Sequence, residues 1–121
     1  MCGVFVSTGT QGGGQEITIA NTLSTFVHHG LIYVPLGYKH TFSQLSNLTE
    51  IHGGTSTFHF LCVVISSGSS RLFPFAGSSW GAGTFAGTDG SRQPSTLEME
   101  IASLQGKSFW EIVARYHGHS K

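Results

Sequence analysis

Val4-Phe5-Val6-Ser7-Thr8-Gly9-Thr10-Gln11-Gly12-Gly13-Gly14-Gln15-Glu16 is the stretch on which the fold turns. A short apolar strand runs into a turn of glycines and hydroxyl residues, and that turn opens a helix. Gly9 and Gly12 to Gly14 allow backbone angles that side chains forbid, so amides can come close to a ligand. Ser7, Thr8 and Thr10 add short hydroxyl donors on the same turn. Such a strand–turn–helix places unpaired amides at the carboxyl end of a strand, where open α/β sheets bind ligands. The plainer alternative is a flexible connection that touches nothing.

Outward from this turn, Cys2 to Val6 reads as a short buried strand. Gln15 to His29 reads as a helix, with Ile19, Ala20, Leu23, Phe26 and Val27 forming one apolar stripe. Gly30 suits a left-handed helix terminus. Leu31 to Leu36 predicts a second strand, with Pro35 near its end, and the whole makes one right-handed βαβ unit. Thr41 to Gly54 is a polar loop with apolar anchors. Thr55 to Ser78 is rich in Ser and Phe, with Arg71 as its only full charge, and Phe60 to Ile65 at its centre is apolar enough for a strand. Trp80 to Pro94 is a loop of glycines and small polar residues. A last helix begins at Ser95, which forms a capping box with Glu98, and Leu97, Ile101, Leu104 and Ile112 give it an apolar face. Gly106 weakens its middle, and the tail from His117 is expected to fray.

The 121 residues allow one small domain with a modest core. Lys plus Arg and Asp plus Glu number 6 each, so no basic field points to nucleic acid or a membrane surface. Charged residues make up only 10% of the chain. A surface so poor in charge points to a subunit interface or an incomplete domain. Cys2 and Cys62 have neither metal-ligand nor disulfide-scaffold spacing, and a reducing, cytoplasmic location is the expectation. Ser7 and the glycines interrupt any signal-peptide layout, and no apolar run approaches a membrane span of about 20 residues.

Seven histidines raise the question of a metal, but the spacing argues against one. Adjacent His28 and His29 point about 100° apart on a helix, and His117 and His119 lie in a terminal tail. The His28–His29 pair reads either as helix-end residues favoured by the helix dipole or as a histidine aimed at a ligand. Neither cysteine nor any serine sits in a nucleophile elbow. Asp89 and Arg92 read as an ion pair within their loop.

The run Gly3 to Glu16 closely resembles the WrbA-like NAD(P)H:quinone oxidoreductases, flavodoxin-like FMN proteins. The likeness continues through His28-His29-Gly30, Ile32-Tyr33-Val34-Pro35-Leu36-Gly37-Tyr38, Trp80-Gly81-Ala82-Gly83-Thr84 and Gly87-Thr88-Asp89-Gly90-Ser91-Arg92-Gln93-Pro94-Ser95, and ends with the Glu98 to Gly106 helix. The wording of the blocks is most similar to fungal members. The resemblance implies an α/β, flavodoxin-like three-layer fold, with a parallel sheet between helices and FMN at its carboxyl edge. It also implies tetramers with flavin sites near subunit contacts, and two-electron reduction of a quinone by NADH or NADPH. By matched position, Ser7, Thr8, Gly9, Thr10, Gln11 and Gly12 would form the loop beside the flavin ring and ribityl chain. His29 would approach flavin and substrate, and the Trp80 to Ser95 loop would lie near a neighbouring subunit. Amides of the Gly/Thr turn could then steady negative charge on reduced flavin.

Two departures qualify that expectation. The chain begins at what resembles the family's fourth strand, so 1–121 reads as the carboxyl-terminal part of an incomplete domain. In the strand order 2-1-3-4-5 the cofactor sits at the β1/β3 switch point, so only one wall of the crevice is present. No segment offers a nest of amides for the FMN phosphate, and the chain alone is expected to bind FMN weakly or not at all. Thr55 to Ser78 has no counterpart in the family and reads as an intron translated in frame or as a true insertion covering a sheet edge. A catalytically inactive fragment or interaction protein is therefore the competing class. A flavodoxin serving a protein partner comes third, since it calls for an acidic surface.

Overall fold

A computed structural model describes residues 1–47, 50–53 and 78–118. Its elements run β1 (Val6–Thr8), α1 (Gln15–His28), α2 (Phe42–Leu45), β2 (Gly83–Phe85) and α3 (Thr96–Tyr116). Together they make a small α/β unit with a two-stranded parallel sheet and three helices among the described residues. The expected insertion at 55–78, save Ser78, and its central strand lie outside them.

β1 and β2 are parallel, with Val6 opposite Gly83 and Thr8 opposite Phe85. Val6 N donates to Ala82 O at 3.1 Å, and Ala86 N donates to Thr8 O at 2.9 Å. The expected strand at 31–36 is reduced to a single parallel bridge between Cys2 and Tyr33, made by Cys2 N to Ile32 O (2.9 Å) and Val34 N to Cys2 O (2.8 Å). The next donor in this register, Leu36 N, does not continue the ladder, because Val4 O accepts from Gln105 Nε2 instead, and Gly37 turns the chain away at φ 66°. Cys2, Val6 and Thr8 face the same way along the backbone. Residues 32–34 and 82–86 therefore lie end to end along one edge of a single strand.

Between those two segments the ladder has a gap, and one side chain fills it. Gln105 of α3 accepts from Ala82 N at 2.7 Å and donates from Nε2 to Val4 O at 2.8 Å. The amide thus supplies the donor and acceptor that a continuous neighbouring strand would have offered.

Successive strand residues point to opposite faces, and the helices divide accordingly. Ala82 packs with Leu36, Leu45, Leu97 and Ile101 in the buried core, on the α3 side. A Cβ on adjacent Gly81 would strike the Val4 carbonyl and lie against Ile19 of α1. Ile19 is buried, but Val27 on the predicted stripe is 75% exposed. A sheet of two short strands is too narrow to cover the whole apolar face of a four-turn helix. α3 runs unbroken through Gly106 and ends at Tyr116, with His117 as its C-cap.

The structure finds elements where the sequence predicts loops. β2 lies in the glycine-rich 80–94 stretch, and α2 in the polar 41–54 stretch. Thr41 Oγ1 ties the approach to α2 by donating to Gly37 O at 2.6 Å, without capping the helix itself.

Candidate functional site

The loop between β1 and α1 has a defined shape with identifiable causes. Thr8 Oγ1 donates to Thr10 O at 2.8 Å, and Gly13 N donates to the same carbonyl at 3.1 Å. Gly14 N donates to Gly12 O at 2.8 Å. Gly12 and Gly14 hold φ of 64° and 82°, the left-handed region where other residues are strained. A Cβ on Gly13 would come within 2.9 Å of Thr10 O, so the turn closes tightly at that point.

Gln15, the first residue of α1 and only 2% exposed, fastens this loop to the sheet. Its Nε2 donates to Thr8 Oγ1 at 2.8 Å and to Thr84 O on β2 at 2.6 Å. Thr8 is therefore occupied on both sides, accepting from Gln15 while donating to Thr10. Its hydroxyl shapes the loop instead of facing solvent.

What the loop leaves open is backbone. Among the described residues, the amides of Gly9, Thr10 and Gln11 have no intramolecular acceptor. All three residues are exposed, and a Cβ on Gly9 would meet nothing within 4 Å. The N-terminus of α1 follows at once, capped by Gly14 without a side-chain acceptor. A run of outward amides at the positive end of a helix dipole favours oxygen acceptors and developing negative charge.

The predicted residues are thus partly assembled. Ser7 to Gly12 sit together at the carboxyl end of β1. His29 is exposed at the C-cap of α1, a helix of 14 residues away from the loop, which is about 21 Å along the axis. Within one chain the loop and His29 are not neighbours.

A polar centre beside the loop has a different membership from the sequence reading. Arg92 does not pair with Asp89. Its Nη1 and Nη2 each lie 3.0 Å from one oxygen of Glu98, a forked contact with a carboxylate only 3% exposed. Asp89 instead accepts from Ser91 N and Oγ, closing a local turn. Glu98 also accepts from Gly53 N (2.7 Å), Thr84 Oγ1 (2.9 Å) and Ser95 N (2.8 Å). Burial raises the Glu98 carboxyl, but Arg92, the Ser95 and Gly53 amides and the Thr84 hydroxyl outweigh it and hold the group below the usual range. Arg92 also lies 3.8 Å over the Phe85 ring and donates to Phe85 O. One carboxylate thereby joins β2, the 86–95 loop, α3 and residue 53. The capping box made Glu98 visible in the sequence, but its distant partners Gly53 and Thr84 left no local signal.

No family model matches the chain. It is, however, 54% identical over 115 residues to the minor allergen Alt a 7 of Alternaria alternata, covering 95% of this chain and 45% of that protein. It is 52% identical over 113 residues to a Candida albicans protein named NAD(P)H quinone oxidoreductase PST3, covering 93% and 45%. Protoplast secreted protein 2 of Saccharomyces cerevisiae matches at 49% over 116 residues, covering 96% and 46%. These are homologues. The chain spans about half the length of the curated relatives it matches. No helix among the described residues is long and apolar enough to cross a membrane.

Proposed function

We propose that this chain is the carboxyl-terminal portion of a WrbA-like, flavodoxin-like NAD(P)H:quinone oxidoreductase, and that Ser7 to Gly12 form the ring side of its FMN site. The observation that carries this reading is the row of outward amides at Gly9, Thr10 and Gln11, placed at the carboxyl end of a parallel strand. The name of the Candida relative supports the reaction class. When bound, FMN supplies two-electron chemistry between NADH or NADPH and a quinone.

The residues present fit the ring and not the phosphate. The three amides would donate to ring carbonyl oxygen and nitrogen, and the α1 dipole would favour negative charge there. Gln15 and Thr8 would keep those amides aimed outward. His29 lies too far from its own loop to share one flavin with it, so a role at the ring would fall to a second copy, as in the expected tetramer.

This division of labour predicts a specific binding pattern. Titrating the chain with FMN and with riboflavin should give equally weak affinities, and desalting should strip the flavin. FMN binding far tighter than riboflavin, or stoichiometric flavin after desalting, would refute the ring-side assignment. The second reading, a fragment without redox activity, rests on the narrow sheet and low charge. It predicts no NADH-dependent reduction of benzoquinone with FMN supplied in excess.

A further inference from the structure

The hydrogen bonds behind the candidate loop run one way, and each link forces the next. Thr84 O on β2 is a carbonyl and can only accept, so the Gln15 amide must present Nε2 to it, at 2.6 Å. The same Nε2 lies 2.8 Å from Thr8 Oγ1, and an amide nitrogen with two hydrogens donates there as well. Thr8 Oγ1 therefore accepts from Gln15, and its single proton is left for Thr10 O, 2.8 Å away. The starting point of this chain is fixed from the far side of the sheet. Thr84 pairs with Ser7 across the ladder, and its Oγ1 donates to the buried Glu98 at 2.9 Å.

The last link turns the backbone. Thr10 O is held from behind by Thr8 Oγ1 and Gly13 N. It belongs to a trans peptide, whose N–H points the opposite way from its carbonyl. That N–H is the one of Gln11, which is thereby directed away from residues 8 and 13. The amide of Gly9 is aimed by other means: Thr8 O accepts from Ala86 N in the ladder at 2.9 Å, so the sheet itself fixes that peptide. The 10–11 peptide lies beyond the ladder and takes its orientation from the hydroxyl and the Gly13 amide.

We propose that Gln15 is a positioning residue for the flavin-ring site: through the Thr8 hydroxyl it fixes the 10–11 peptide with Gln11 N–H toward the ligand. The inference rests on the ring-side reading for the identity of the ligand, and assigns the aim of one donor to a buried side chain. It requires an amide, and not a carboxylate, at position 15. An ionised Glu there can only accept, so it draws the Thr8 proton to itself and releases Thr10 O. The peptide is then free to turn over.

Amide exchange in the 121-residue chain, without flavin, tests the orientation. Gly13 N, which shares Thr10 O, should lose about tenfold in protection in Gln15→Glu. Val6 N, bonded to Ala82 O, should keep its own. Gln15→Met leaves the Thr8 proton on Thr10 O and should lose clearly less than Gln15→Glu, an order that mere packing of the loop would not produce. Thr8→Val, at a partly exposed position, should behave like Gln15→Glu, and Thr8→Ser like the parent. Riboflavin titration should then show about tenfold weaker binding for Gln15→Glu and Thr8→Val, with Thr8→Ser unchanged. Parental Gly13 protection in Gln15→Glu or Thr8→Val, equal losses in Gln15→Met and Gln15→Glu, or a loss in Thr8→Ser overturns the proposal. So do equal falls at Val6 and Gly13 in both Gln15→Glu and Thr8→Val, or unchanged riboflavin affinity where Gly13 protection has fallen. A parent chain that binds no riboflavin refutes the ring-side reading, while the exchange order still accepts or rejects Gln15 as the residue that aims Gln11.

Discussion

The guanidinium of Arg92 grips the carboxylate of Glu98 through two contacts of 3.0 Å, one to each oxygen. The pair ties the loop after β2 to the first turn of α3. Because Glu98 is buried and accepts three further bonds, its charge is needed by several elements at once. Removing one partner of a buried pair strands the other and costs about 3–5 kcal/mol. Glu98→Gln keeps the shape but loses the charge, so a loss of about 3 kcal/mol is expected from urea denaturation. Arg92→Met should cost less, because Arg92 is partly exposed and the carboxylate keeps three other donors.

The same pair sets an acid limit. The folded-state value of Glu98 lies below its ordinary one, so the unfolded chain takes up the proton first as pH falls. The stabilisation is complete above the usual glutamate value of about 4.3 and is lost as pH drops through the lower folded-state value. Unfolding midpoints of the native chain and Glu98→Gln, compared from neutral pH downward, should converge only in that acid window. Convergence near neutrality would contradict it.

Gln105→Met should weaken the sheet at its gap. The substitution matches the side-chain length and leaves Ala82 N and Val4 O without partners. Each orphaned buried group costs about 1–3 kcal/mol, so a total near 3 kcal/mol is expected. Amide exchange at Ala82 should accelerate more than at Val6, whose bond is independent of Gln105.

Two glycine substitutions should behave oppositely. A Cβ on Gly53 would overlap the backbone of Gly83 and Thr84, and neither atom set can move without breaking β2. Gly53→Ala should therefore cost at least about 2 kcal/mol. Gly9→Ala adds a methyl in open space and should stay within about 0.5 kcal/mol of the parent. If the ring-side assignment is right, Gly9→Ala should still weaken flavin binding, because the methyl stands where the amides face outward. Thermal unfolding with and without riboflavin separates the two effects.

The parts of this fold that sequence made legible are those with a local cause. The start of α3 follows from Ser95 and Glu98, three residues apart, and the start of α1 from the end of the glycine run. β2 could not be read, because Gly-Thr-Phe is too short for a period-two pattern and becomes a strand only by lying beside Val6 to Thr8. The strand expected at 31–36 failed for a complementary reason: its apolar run is real, and Val34 and Leu36 are buried, but its pairing stops after one bridge. At the candidate site the glycines were visible and the outward amides with them. The restraint on those amides was not. It depends on Gln15 reaching Thr84, which is 69 positions away, and no local pattern encodes such a reach. In sequence Arg92 pairs most naturally with the acid three positions before it, but its carboxylate partner lies six positions after it.

The end-to-end arrangement of 32–34 and 82–86 has a consequence for how this chain changes length. The excursion between them departs and returns along one strand, and Gly37 N bonds to Ser79 O at 2.8 Å like a clasp at the neck of a purse. Tyr33 reinforces the clasp by donating its hydroxyl to Trp80 O. With the neck fastened, the loop-closure cost of a longer excursion rises by only about 0.6 kcal/mol for each doubling of its length. The seam keeps both segments stitched to the same strand, while Leu45 in the core and Gly53 on Glu98 anchor the excursion from within.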